Sequence, residues 1–123
     1  MLDFVVIGVQ KCATSWMYET LKLSEDIILP DQKREIDFIG NGDLKYLEQL
    51  KNLQQESSSS LLGDVSVEYI ENIESLRLIV DSNPDCKFVV MLREPIERAL
   101  SALSWYDRKR KIDSSSSFEH LFD

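Results

Sequence analysis

Two stretches of this chain place an apolar strand directly before a charged turn and a helix: FVVIGVQKCATSWMYETL from Phe4 to Leu21, and KFVVMLREPIERALSAL from Lys87 to Leu103. A continuous apolar run of this length marks a strand buried on both faces, and such strands belong to parallel sheets covered by helices. In the first stretch Gly8, Lys11, Thr14 and Ser15 fall in and beside the turn. Backbone N–H groups at a helix N-terminus, two hydroxyls and an ammonium are what a fold presents to a phosphate. In the second stretch another buried strand runs into Arg93 and a helix that carries Arg98 and Ser101. Two such turns at the ends of parallel strands point to a ligand with two phosphate-like groups.

The segments between them alternate helix and strand. Thr14 and Ser15 open a helix that runs to Leu23, and Ile27 to Leu29 before Pro30 reads as a short extended piece. Asp43 is an N-cap for a helix through about Gln55 with Leu44, Leu47, Leu50 and Leu53 on one side. Ser57 to Ser60 is a low-complexity loop, Leu61 to Val67 a second strand, and Asn72 to Asp81 a helix that Asn83-Pro84 stops. Pro95 at the first helical position starts the last helix. Three strands alternating with helices predict an α/β domain with a parallel sheet and right-handed connections. The chain of 123 residues is read as a single domain, 1–123, with the motifs in 1–106 and a tail at 107–123 containing a basic run, Arg108 to Lys111, and a second serine tract.

Charge and cysteine usage narrow the partners. The net charge of −8 disfavours nonspecific binding to nucleic acid or to an anionic membrane, so any anion must be held by local cations: Lys11, the Lys33/Arg34 pair, and Arg93 with Arg98. No apolar run approaches the ~20 residues of a membrane span, and with no basic n-region or small-residue cleavage site around Leu2-Asp3 a secretory signal is not expected in the chain as given. The expectation is a cytoplasmic protein with Cys12 and Cys86 as free thiols.

Gly8-Val-Gln-Lys11-Cys12-Ala13-Thr14-Ser15 resembles the 5'-phosphosulfate loop, G-x-x-K-x-G-T-[ST], of sulfotransferases that use 3'-phosphoadenosine 5'-phosphosulfate. LREPIERALS, Leu92 to Ser101, resembles the family's 3'-phosphate motif, R-[DE]-P-x-x-R-x-x-S, at every fixed position. Lys33-Arg-Glu35-Ile-Asp-Phe38-Ile is similar to the K-E-x-x-F-F segment of the branch that contains the heparan sulfate and related bacterial enzymes. Gly63-Asp64-Val-Ser66-Val-Glu-Tyr69 resembles the G-[ED]-x-[ST]-P-x-Y segment of that branch, with Val67 in place of proline. A Walker A loop, G-x-x-x-x-G-K-[ST], fits poorly, because the lysine falls early and no glycine precedes Thr14-Ser15.

The resemblance implies a three-layer fold like that of nucleotide kinases, a parallel sheet flanked by helices, incomplete relative to the family. It implies transfer of a sulfuryl group to a hydroxyl or amine, on a glycan or other small alcohol, with no metal. Lys11, Cys12, Ala13, Thr14 and Ser15 would form the donor loop, with Lys11 stabilising charge on the leaving phosphate. Arg93 and Ser101 would hold the 3'-phosphate and Arg98 a structural ion pair. Glu35 would be the catalytic base, since an acceptor must lose its proton as it attacks sulfur. Lys33, Arg34, Asp64 and Ser66 would lie toward the acceptor. Ala13 stands where the family has glycine, which a methyl group tolerates if the local φ is negative. The chain is shorter than family members usually are, so weak or absent turnover is expected. The alternatives are a nucleotide-binding remnant and a P-loop kinase; the latter needs an acidic metal ligand where Arg93 follows the third strand. The acceptor and the oligomeric state stay open.

Overall fold

The computed structural model describes residues 2–31, 42, 44–56 and 60–108. The chain divides into two compact units, Met1–Leu92 and Arg93–Asp123. The first unit contains a four-stranded sheet in the order β2-β3-β1-β4, formed by β1 (Phe4–Gly8), β2 (Ile27–Ile28), β3 (Leu61–Val65) and β4 (Lys87–Val90). All three pairings are parallel, with Val5 opposite both Asp64 and Phe88, and Ile27 opposite Leu61. The helices are α1 (Thr14–Leu21), α2 (Leu44–Glu56) and α3 (Ile73–Ser82), with a short 3₁₀ turn at Tyr69–Glu71. This is the α/β parallel-sheet architecture expected from the alternating pattern, with the short extended piece at Ile27–Ile28 supplying a fourth strand.

β1 is central, and its alternating side chains feed two apolar clusters. Val5 and Ile7 pack with Tyr46 and Leu50 of α2, Leu62, Tyr69 and Ile79 of α3. Val6 packs on the other side with Tyr18 of α1, Leu29 and Val65. β-branched residues suit this place because both faces of the strand are covered. β4 departs from expectation. It was read as a buried strand, yet Phe88 and Val90 are 38% and 43% exposed. Among the described residues β4 is an edge strand, so only Val89 and Met91 reach the second cluster.

Polar groups hold the ends of these elements. The Asn72 side chain accepts from the N–H groups of Glu74 and Ser75 and caps α3. At the far end of that helix the buried Asn83 amide donates to the Ile79 carbonyl, and its oxygen accepts from the Leu2 N–H at 2.6 Å. Asn83 thus both stops α3 and pins the N-terminus, a role that the Asn-Pro pair only partly announces.

The Asp64 carboxylate is buried, accepting from the Val65 N–H at 2.9 Å and from the Tyr69 hydroxyl at 2.6 Å. Burial above all, then the neighbouring Asp64 charge and Tyr46, push the Tyr69 hydroxyl far above its ordinary pKa. In the unfolded chain a tyrosine ionises near pH ~10, whereas folded Tyr69 keeps its proton. Its contribution to stability is therefore complete below pH ~10 and declines above it, by up to ~1.4 kcal/mol per pH unit. Urea titrations from pH 8 to 11.5 should show wild type losing stability relative to Tyr69→Phe at about that slope above pH ~10. Parallel pH dependences in the two proteins would show that Tyr69 ionises equally well folded and unfolded.

Candidate functional site

The turn between β1 and α1 is built on three residues with positive φ: Gly8 at 146°, Lys11 at 65° and Ala13 at 64°. Left-handed residues inside a tight turn swing successive backbone N–H groups to one side, the geometry of an anion-binding nest. The turn is tied to the sheet at its start. Met91 donates its N–H to the Gly8 carbonyl at 2.8 Å, and Val9 donates to the Met91 carbonyl at 3.1 Å. Cys12 closes the loop by donating to the Val9 carbonyl at 3.2 Å. Ala13 is the N-cap of α1 and its carbonyl accepts from the Met17 N–H, so the first N–H groups of the helix follow directly on the nest.

The five predicted loop residues are thus brought together, with different exposures. Ser15 and Ala13 are exposed and Lys11 is half-buried, while Thr14 and Cys12 are buried. The Cys12 Sγ lies 3.8 Å from the Gln10 carbonyl oxygen and is a free thiol, as is Cys86. Burial, chiefly, raises the Cys86 thiol's pKa.

The condition under which a methyl group is tolerated at position 13, a negative φ, is not met, because the angle is +64°. Alanine holds a conformation that glycine adopts without the clash between Cβ and the following carbonyl, which costs ~1–2 kcal/mol. Ala13→Gly removes that clash but loosens the unfolded chain, which returns ~0.5–1 kcal/mol. The exposed Ala13 methyl adds no packing to offset this. A gain of about 0.5–1 kcal/mol is expected, seen as a rise of a few degrees in melting temperature. A lower melting temperature would mean that position 13 does not sit in the left-handed region.

Beneath the loop lies the end of β3. Ser66 donates its N–H to the Val6 carbonyl at 3.0 Å, and its fully buried Oγ accepts from the Glu68 N–H at 3.4 Å. Both Asp64 and Ser66 were expected toward the acceptor. Both side chains are buried and brace the Tyr69 turn. That turn is the floor of the loop: a Cβ on Gly8 would meet Ile70 Cγ2 at 2.9 Å and the Val67 carbonyl oxygen at 3.3 Å. Tyr69 and Ile70 therefore shape the site, a role that reading the motif for polar residues does not reveal.

The second unit holds α4 (Pro95–Arg108). The Glu94 carboxylate accepts from the Glu97 N–H at 2.8 Å and caps its first turn. Arg93 is exposed and pairs with Glu97 at 3.4 Å, an exposed i,i+4 bridge of small energetic weight. Ser101 is half-buried, two turns along the helix. Among the described residues the ion pair at this helix start is that of Arg93. Lys33, Arg34 and Glu35 lie outside the described residues. No helix among the described residues is long and apolar enough to cross a membrane.

Comparison with known proteins is consistent with this geometry. The family model described as "Sulfotransferase domain" matches residues 2–123. A curated relative, the membrane-associated sulfotransferase kil1 of Dictyostelium discoideum, is 27% identical over 127 residues, covering 97% of this chain and 27% of its own length. The crystal structure of a sulfotransferase from Alicyclobacillus acidocaldarius superposes with a TM-score of 0.75 at 24% identity, covering 98% of this chain and 55% of that one. The chain thus spans about a quarter of the curated relative and about half of the solved one.

Proposed function

This chain belongs to the sulfotransferase domain family, and from that premise we propose that it binds 3'-phosphoadenosine 5'-phosphosulfate and transfers the sulfuryl group to a hydroxyl or amine of a glycan or other small alcohol. The observation that carries the reading is the β1–α1 turn, where two left-handed residues, one of them Lys11, lead into a helix N-terminus. In the proposal Lys11, Thr14 and Ser15, with the backbone of Cys12 and Ala13, hold the 5'-phosphosulfate end. Arg93 and Ser101 hold the 3'-phosphate, where a guanidinium can bind two oxygens at once.

Transfer is an in-line displacement. The acceptor proton passes to the Glu35 carboxylate as the acceptor atom attacks sulfur. The bond from sulfur to the bridging oxygen breaks with its electron pair staying on the phosphate, whose added charge Lys11 neutralises. Lys33 and Arg34 lie beside the sulfuryl group or the acceptor in this reading. Asp64 and Ser66 are assigned to the floor of the loop. In this reading the reaction takes place in the cytoplasm, a reducing compartment compatible with two free thiols. A second reading is a remnant that holds the donor without turnover. Detectable transfer of labelled sulfate would overturn it.

Calorimetric titration with adenosine 3',5'-bisphosphate, the spent donor, tests the proposal. Saturable binding at one site is expected, weakened ~10- to 100-fold in Lys11→Ala by loss of a charged contact to phosphate. A folded chain that takes up no ligand would overturn the reading, and an unchanged affinity in Lys11→Ala would remove that residue from it.

A further inference from the structure

Among the described residues β4 ends the sheet on one side, and it lacks the features that usually keep a sheet edge from pairing. Phe88 to Leu92 is an uncharged apolar run, FVVML, with Lys87 before it and the nearest prolines at Pro84 and Pro95. The register shift in the β1–β4 pair falls between Val6 and Gly8, on β1, so β4 itself runs without a bulge. Its ladder to β1 fixes where each backbone group points. Lys87 and Met91 donate their N–H groups to the Asp3 and Gly8 carbonyls, and the Met91 carbonyl accepts from Val9. Successive residues of a strand alternate in this respect, so the N–H and C=O groups of Phe88 and Val90 point to the open side. Their side chains share the exposed face, while Val89 and Met91 pack on the other face with Val6.

Two such edges related by a two-fold axis meet antiparallel, the same patch on both copies, and charge selects the register. With Phe88 of one copy opposite Val90 of the other, open backbone groups face open backbone groups, and two aromatic–β-branched pairs form on the exposed face. The same register sets Asp85 of each copy opposite Arg93 of the other. Sliding to Val90 opposite Val90 sets Lys87 against Arg93 instead, and sliding to Phe88 opposite Phe88 leaves Asp85 facing Met91. The net charge of −8 on each copy opposes their approach, but over distances beyond ~8 Å it is screened at physiological salt, whereas the pairs along the seam act at contact.

We infer that β4 is a self-association edge, through which two copies of this chain pair antiparallel at Phe88 and Val90 and join their four-stranded sheets into one. The occupant of the edge is a second copy because this strand complements itself in hydrogen bonding, in apolar contact and in charge. The inference goes beyond the functional reading and does not rest on it.

Sedimentation equilibrium of the full chain, without ligand and from micromolar to millimolar concentration, tests this, with hydrogen exchange at single amides alongside. A reversible monomer–dimer equilibrium is expected, and exchange at the Phe88 and Val90 amides should slow by ~10-fold or more as the dimer forms. Val90→Lys puts a charge into the seam from an exposed position and should leave the chain monomeric throughout. Asp85→Lys turns two attractive cross-strand pairs into repulsive ones and should weaken the dimer about 10-fold, an effect that shrinks at high salt. A chain that stays monomeric at every concentration overturns the inference. So does a dimer that survives Val90→Lys, or one whose Phe88 and Val90 amides exchange as they do in the monomer. Slow exchange of those amides at concentrations where the chain is monomeric would mean that the chain covers its own edge, which also overturns it. A dimer of unchanged strength in Asp85→Lys overturns the register. Should Val90→Lys fail to fold, the concentration dependence of wild-type exchange decides.

Discussion

Glu35→Gln is expected to slow sulfuryl transfer by ~10²- to 10⁴-fold while leaving the affinity for adenosine 3',5'-bisphosphate within ~3-fold of wild type. Glutamine keeps the size and polarity of the side chain but cannot accept the acceptor's proton. The attacking atom must then carry its proton into the transition state, where positive charge on it is costly. In the proposed mechanism donor binding would draw on the loop at Lys11–Ser15 and on Arg93 with Ser101, so it should not register the change. Single-turnover reactions, with protein in excess over donor carrying labelled sulfur and a panel of polysaccharides and simple alcohols, read slow rates directly. The pH profile adds a second readout, because the wild-type rate should fall at low pH as a carboxylate is protonated, whereas the variant's residual rate should lack that limb. Transfer by Glu35→Gln at the wild-type rate would remove Glu35 as the base. No transfer by wild type or variant, with nucleotide binding intact in both, would favour a holding module over an enzyme.

What the amino-acid sequence discloses here follows the range of the interaction involved. β1 was legible because its run of β-branched residues answers to a local requirement, burial on both faces of a central strand. The start of α4 was legible for a similar reason, since Pro95 fits the first helical position and little else. β4 was misread as buried because its exposure depends on its place in the strand order β2-β3-β1-β4, which no local pattern encodes. Ala13 shows the limit differently. The motif identified it as a departure from glycine, but only the backbone angle shows that the departure carries strain. Asp64 and Ser66 were recognised as polar residues at a strand end, where polarity suits ligand and core alike. The hydrogen bond from the Tyr69 hydroxyl, which comes from a separate turn, shows that Asp64 braces the fold. The hydrogen bond from the Tyr18 hydroxyl to Pro30 was invisible because its acceptor is a backbone carbonyl, which has no sequence signature.

Gly8→Val should destabilise the first unit by about 2–4 kcal/mol, combining a strained backbone angle with overpacking. The φ of 146° lies in a region open to glycine and closed to a β-branched residue. Two neighbours meet the new Cβ, and they differ in how they can respond. Ile70 is partly exposed and can shift its Cγ2 outward, but the Val67 oxygen belongs to the backbone of the turn braced by Ser66 and Asp64. Relief must therefore come from moving Gly8, which is hydrogen-bonded to Met91 of the neighbouring chain segment. Gly63→Ala provides the contrast. There the three atoms nearest the added Cβ all belong to the Phe4 ring, the far end of a half-buried side chain that can rotate away, so the cost should be smaller. Urea midpoints at equal slope should rank wild type above Gly63→Ala, and Gly63→Ala above Gly8→Val. Because Gly8 is also the first residue of the anion loop, Gly8→Val should weaken nucleotide binding even under conditions where the variant remains folded. A Gly8→Val midpoint equal to that of wild type would mean that the Tyr69 turn does not form the floor of the loop.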